Sequence, residues 1–115
     1  MDKSLLNKIP VDVVEHIKLY RLGVFGNSSF ELIELKKAED YPVHHHNNSE
    51  AKFYFILGEG LIILDGKKHK YKKGDSFIIT KRMKHGFKPE TETLLLSIQT
   101  PPIKDKHTGK EDIHF

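Results

Sequence analysis

The sequence predicts an all-β domain, a sandwich or barrel of short strands. Short apolar stretches rich in β-branched and aromatic residues recur along it. Turn signals built on Gly, Asp and Pro separate them at regular spacing. Helical periodicity is scarce, and residues 1–9 read as a short helix or a disordered start.

The elements follow in order. Val11 to Leu19 sets Val11, Val13, Ile17 and Leu19 on one parity and Asp12, His16 and Lys18 on the other. That period of two marks a strand with one buried face. Phe30 to Lys36 is a second strand, apolar on both faces, and Phe53 to Leu57 and Leu61 to Leu64 are two more around Gly58-Glu59-Gly60. Asp65-Gly66 marks a tight hairpin, because a type I′ turn needs positive φ at both central residues. The returning strand, Lys67 to Lys72, alternates polar residues with His69 and Tyr71. After the turn at Lys73-Gly74-Asp75 come strands over Ser76 to Thr80 and Leu94 to Gln99. Pro101-Pro102 stops the last one, since proline donates no ladder hydrogen bond. The polar tail, Ile103 to Phe115, is expected to wrap the surface or a partner subunit.

A chain of 115 residues suits one domain with one core, here residues 1–115 with the barrel over 30–99 and a tail over 100–115. At 37% hydrophobic and 30% charged it is too polar for a thick core, and a sheet folded on itself uses such residues economically. Apolar residues on both parities of Phe30 to Leu35, and on the alternate face of Leu94 to Gln99, call for cover, so a homodimer is expected.

There is no cysteine, hence no disulfide and no thiolate site; any metal must sit on histidine and carboxylate. No apolar run approaches a membrane span, and Met1 to Lys8 lacks the apolar stretch of a secretory signal, so a cytoplasmic protein is expected. The net charge of +3 comes largely from Lys67 to Lys73 and Lys81 to Lys88. These lysines alternate with apolar residues or lie in turns, as on a solvated strand face. Without interleaved aromatics to stack on bases, no nucleic-acid partner is expected.

The chemistry-bearing residues form two groups. One is His44-His45-His46 with Glu50; the other is His85, beyond the Gly74-Asp75 turn. In an extended strand His44 and His46 share a face and His45 points away. Two imidazoles on one face hold a divalent ion if further ligands come from elsewhere, and His85 and Glu50 are the candidates. His45 is expected to be structural or interfacial. His16, His69, His107 and His114 show no partner pattern and are expected to be exposed.

These residues resemble the two motifs of the cupin superfamily. The first is a His-x-His pair, a Glu, and a strand ending in Gly-x-Gly: here His44, His46, Glu50 and Gly58-Glu59-Gly60. The second is Gly-Asp, a strand, a Pro-x-Gly turn and a His: here Gly74-Asp75, Ser76 to Ile79, Thr80-Lys81-Arg82 and His85. The resemblance implies a jelly-roll β-barrel, often dimeric, with a divalent metal (Mn, Fe, Ni or Zn) on His44, His46 and His85. Two departures stand out. Counting back from Gly58, the usual carboxylate position falls on Ala51, with Glu50 one residue early. Strand phase puts Ala51, Phe53, Phe55 and Leu57 inside, so an unbroken strand points Glu50 outward and leaves a three-histidine site; a bulge would be needed to bring Glu50 in as fourth ligand. Pro-x-Gly has also become Thr80-Lys81-Arg82, which puts Lys81 and Arg82 near the expected cavity mouth, suited to an anionic substrate. Tyr54 and Tyr41 are candidate ligand donors or packing residues, and Phe53, Phe55, Phe87, Ile78 and Leu96 read as cavity wall or core.

The resulting expectation is a metal-binding cupin acting on a small polar or carbohydrate-like, anionic substrate. Isomerase or epimerase chemistry fits it best, with one of the three histidines moving a proton. A metal-dependent dioxygenase and a non-catalytic ligand-binding or sensor cupin are the alternatives.

Overall fold

A computed structural model describes residues 3–14, 17–103 and 111–115. Among these residues a 3-10 turn over Lys3–Lys8 precedes ten strands: β1 Val11–Val14, β2 Ile17–Phe25, β3 Ser28–Leu35, β4 Tyr41–His44, β5 Glu50–Leu57, β6 Gly60–Leu64, β7 Lys67–Tyr71, β8 Ser76–Ile79, β9 His85–Pro89 and β10 Thr93–Thr100. They form a six-stranded sheet in the order β1-β2-β3-β10-β5-β8 and a four-stranded sheet in the order β4-β9-β6-β7. All neighbours are antiparallel. The fold is the all-β barrel of two antiparallel sheets that the sequence predicts.

The single strand expected over Val11 to Leu19 is two. Val14 pairs with Ile17 and Val11 with Tyr20, so the chain folds back on itself. Alternation runs through both arms, which is why periodicity alone does not reveal the reversal. Strands β4 and β9 escape a sequence reading because Pro42, Gly86 and Pro89 are poor strand formers; pairing between β4, β9 and β6 decides their conformation. Asp65 and Gly66 have φ of 47° and 82°, the two positive values of the expected type I′ hairpin. Gly58, at φ 94°, also has no room for a side chain, because a Cβ there collides with the Glu92 carbonyl and Thr93.

The interior of the six-stranded sheet is graded along its strands. Inward positions run Glu31, Ile33, Leu35 on β3; Ala51, Phe53, Phe55 on β5; and Gln99, Ser97, Leu95 on β10. The registers align these into layers: Ile33, Leu95 and Phe55 in one, and Glu31, Ser97 and Phe53 in the next. One end is thus filled by apolar packing, with Phe55 stacked on Tyr71 at 4.0 Å between centroids and the Tyr71 hydroxyl bonded to Thr93 Oγ1 at 2.7 Å. Towards the other end the side chains shrink or turn polar, and a cavity opens between the sheets.

Candidate metal centre

The four-stranded sheet carries the histidines. His44 ends β4, His46 follows it, and His85 opens β9, with His44 and His85 as register partners. All three side chains are buried. Ring centroids are 4.2 Å apart for His44–His85, 5.0 Å for His46–His85 and 5.1 Å for His44–His46. One ring nitrogen of each lies within 4.8 Å of the other two.

The tautomers follow from the hydrogen bonds. His44 Nδ1 lies 3.0 Å from the Pro42 carbonyl oxygen, His85 Nδ1 lies 3.0 Å from that of Met83, and His46 Nδ1 bonds that of Asp112. A carbonyl oxygen only accepts, so each Nδ1 is the protonated, donating nitrogen and each Nε2 keeps its lone pair. Burial keeps the rings neutral, with His44 lowered to about 4 and His85 to about 3, while desolvation likewise lowers His46. Three neutral imidazoles with oriented Nε2 lone pairs make a donor set for a borderline divalent ion, each ring anchored by a hydrogen bond at its other nitrogen.

Residues 112–114 help to build the site. His45 and His114 bond each other's backbone, at 2.8 and 2.9 Å. The Asp112 carboxylate receives the Asn47 and Asn48 amide hydrogens at 2.9 and 2.7 Å, which holds the 44–48 segment. His114, expected to be solitary, bonds Asp112 Oδ1 through Nε2 at 2.9 Å, although its side chain is exposed. His69 is exposed as expected, while His16 and His107 lie outside the described residues.

The cavity holds about 60 Å³ of free space. The three histidines, Tyr41 and Phe87 contribute one wall; Ile17, Ile33, Ala51 and Phe53 line the opposite sheet together with a polar group, Arg21, Glu31, Ser97 and Gln99. Glu31 is only 4% exposed, and the Arg21 guanidinium reaches its Oε1 at 2.6 Å. Gln99 donates to Ser97 Oγ at 3.0 Å and also to Glu31. The sequence reading missed this group. Its signal is parity: Arg21 follows Ile17 and Leu19, and Glu31 precedes Ile33 and Leu35, so each charge sits on the inward side of its strand.

Other expected site residues lie elsewhere. Glu50 is exposed and faces outward, because β5 is regular from its start and Ala51 takes the inward position. Tyr54 shares that outward parity and is 49% exposed. Ile78 is 62% exposed on β8, outside the core, and Leu96 lies on the outward parity of β10. Lys81 and Arg82 occupy an exposed turn and do not line the cavity. That turn is closed by Met83 N–H donating to the Thr80 carbonyl at 3.1 Å, with Arg82 at φ 65° in the glycine position of the motif. Arg82 meets the site through its backbone alone, its N–H donating to the His46 carbonyl at 2.6 Å.

A two-sheet antiparallel barrel with three inward imidazoles on one sheet defines a class, small β-barrel proteins with an all-nitrogen donor site. Residues 31–98 match the Cupin domain, and the chain belongs to that family. It is 30% identical over 86 residues to an L-ectoine synthase of Hahella chejuensis, covering 73% of this chain and 64% of the relative. An uncharacterized protein of Aquifex aeolicus is 31% identical over 101 residues, covering 87% of this chain and 82% of that one. The chain thus spans just under two thirds of the length of the ectoine synthase. Among solved structures, an RmlC-like cupin from Shewanella frigidimarina superposes with a TM-score of 0.74 at 25% identity, over 83% of this chain and 86% of that one. KdgF from Halomonas sp. superposes at 0.75 and 18% identity, over 83% and 88%, a likeness of fold.

Proposed function

We propose that this protein is a metal-dependent cupin enzyme that performs proton transfer of the isomerase or epimerase type on a small polar molecule. The observation that carries this reading is the convergence of three buried histidines, each with Nδ1 tied to a backbone carbonyl and Nε2 free to bind. His44, His46 and His85 would hold the ion. A divalent ion bound there supplies Lewis acidity towards a substrate oxygen. The chain's own residues exclude water with Tyr41, Phe53 and Phe87 and hold the far end of a ligand with the polar group of the opposite sheet. With both nitrogens of each ring committed, a histidine does not also carry the proton, and the carrier would be a carboxylate that lines the cavity, Glu31 or Glu111. Lys81 and Arg82 stand outside the cavity and give an anionic group no support, so a substrate carboxylate would have to meet the ion at the histidines.

A homodimer is part of the same reading. Outward residues of the six-stranded sheet form apolar rows, Leu32–Leu96–Tyr54 and Phe30–Ile98, with Ile78 beyond Lys52. Such a face is covered economically by a second copy.

The test is elemental analysis of untagged, freshly purified protein beside a His44→Ala, His85→Ala double variant. Near-stoichiometric metal in the wild type and none in the variant is expected. No metal in the wild type, even after soaking with Mn, Fe, Ni and Zn, would overturn the reading.

A further inference from the structure

The Arg21–Glu31 pair is costly where it stands. Taking the Glu31 carboxylate out of water is costly even though Arg21 stays 30% exposed, and apolar replacements of a buried charge pair are often neutral or stabilising. The same strands supply Ile17, Leu19 and Ile33 along the same wall, so an apolar lining was available. The pair also faces space. Arg21 and Gln99 account for two of the roughly four acceptor positions of the Glu31 carboxylate, which lines the cavity. Its place is opposite the histidines: Glu31 belongs to the six-stranded sheet, and His44, His46 and His85 are on or adjoin the four-stranded one. A ligand spanning the cavity meets both.

The charges near Glu31 define what it can take. Arg21 is the cation there among the described residues, and it already faces three carboxylates: Glu31 at 2.6 Å, Asp12 at 3.0 Å and Glu111 at 4.0 Å. Glu111 lines the cavity as well, while Ser97 and Gln99 are neutral. Acceptor capacity therefore exceeds donor capacity at this end. A second anion is repelled, an apolar tail leaves the carboxylate unsolvated, and a hydroxyl or ammonium completes it.

We infer that Glu31 is a specificity-determining residue of the cavity, selecting small carboxylate or carbonyl compounds whose far end carries a hydrogen-bond donor, a hydroxyl or an amine. This rests on the metal-centre reading above. The pole at the histidines takes the oxygen function, and the pole at Glu31 takes the donor. Desolvation raises the Glu31 carboxyl above its ordinary range while Arg21 counters it, so the group binds donors as a carboxylate most fully towards neutral and higher pH.

The experiment compares four probes of similar length on nickel-loaded protein: 4-hydroxybutanoate, 4-aminobutanoate, pentanoate and glutarate. Calorimetry first measures nickel binding to the wild type and to Glu31→Gln. Equal nickel affinity is expected, because Glu31 is outside the histidine group; failure of the wild type to bind nickel overturns the metal reading itself. With nickel bound, the wild type should prefer the two donor-bearing probes over pentanoate by at least about tenfold and bind glutarate weakest. Glu31→Gln should lose that preference, with pentanoate binding no more weakly than to the wild type. Equal binding of all four probes, no binding of any, or glutarate in first place overturns the assignment. The wild-type series stands alone if the variant fails to fold.

Discussion

His46 and Asp112, 66 residues apart in the chain, meet where the His46 Nδ1–H donates to the Asp112 carbonyl oxygen. The orientation of that ring therefore depends on the segment 111–115. Removing residues 111–115 should leave the barrel folded and weaken metal binding about 10- to 100-fold, the usual effect of losing a ligand's hydrogen-bond partner. A nickel titration of the truncated chain checks this. Unchanged affinity would show that His46 keeps its orientation without the C-terminal segment.

Single substitutions should separate ligands from neighbours. His85→Ala should lower metal affinity more than about 100-fold, beyond the loss from an orienting partner. Glu50→Gln should leave affinity unchanged, because Glu50 points to solvent from the outer face of β5. A large loss in Glu50→Gln would mean that strand β5 bulges in solution.

Acid should destabilise the metal-free protein. All three buried rings titrate below their ordinary 6.5, His44 at about 4 and His85 at about 3. Above pH 6.5 they are neutral in folded and unfolded chains alike. Below it the unfolded chain takes up protons that the folded one refuses, so stability falls as pH drops towards 4, by up to ~1.4 kcal/mol per pH unit for each ring. Denaturant midpoints between pH 7 and 4 measure the slope, which His85→Asn should flatten. A profile identical in that variant would remove His85 from the account.

The turn before His85 carries strain that glycine relieves. Arg82 sits at φ 65°, where a side chain costs about 1–2 kcal/mol, partly offset by glycine's greater loss of freedom on folding. Arg82→Gly should therefore raise stability by about 0.5–1 kcal/mol. Gly58→Ala should do the opposite, by roughly 2–4 kcal/mol, because positive φ and a backbone clash coincide there. Urea midpoints of the two variants test both signs together.

Charge on the outer sheet face should split the proposed dimer. Leu96→Lys with Tyr54→Lys should halve the mass seen by light scattering and leave the circular dichroism of the monomer intact. A wild type that is already monomeric sinks this part of the reading.

Much of this was legible in the sequence because it depends on local rules. Alternation located most of the strands, Asp65-Gly66 announced its hairpin, and parity alone put Ala51 inside and Glu50 outside. Tertiary pairing decided the rest. Val11 to Leu19 alternates as one strand yet folds back at Val14 and Ile17. Glu31 is a mixed case. Its parity with Ile33 and Leu35 pointed inward, but reading Phe30 to Leu35 as apolar on both faces passed over the opposite parities of Glu31 and Glu34. The use of the Asp112 carbonyl had no signal at all, since every residue but proline carries the same backbone groups.

That generality has an evolutionary consequence. The acceptors at Pro42, Met83 and Asp112 are main-chain oxygens, which no change of side chain deletes. The polar wall across the cavity consists of side chains, each open to replacement one codon at a time. The two halves of the pocket can thus diverge at different speeds, with substrate choice drifting on one sheet while the geometry that orients the imidazoles is inherited with the path of the backbone.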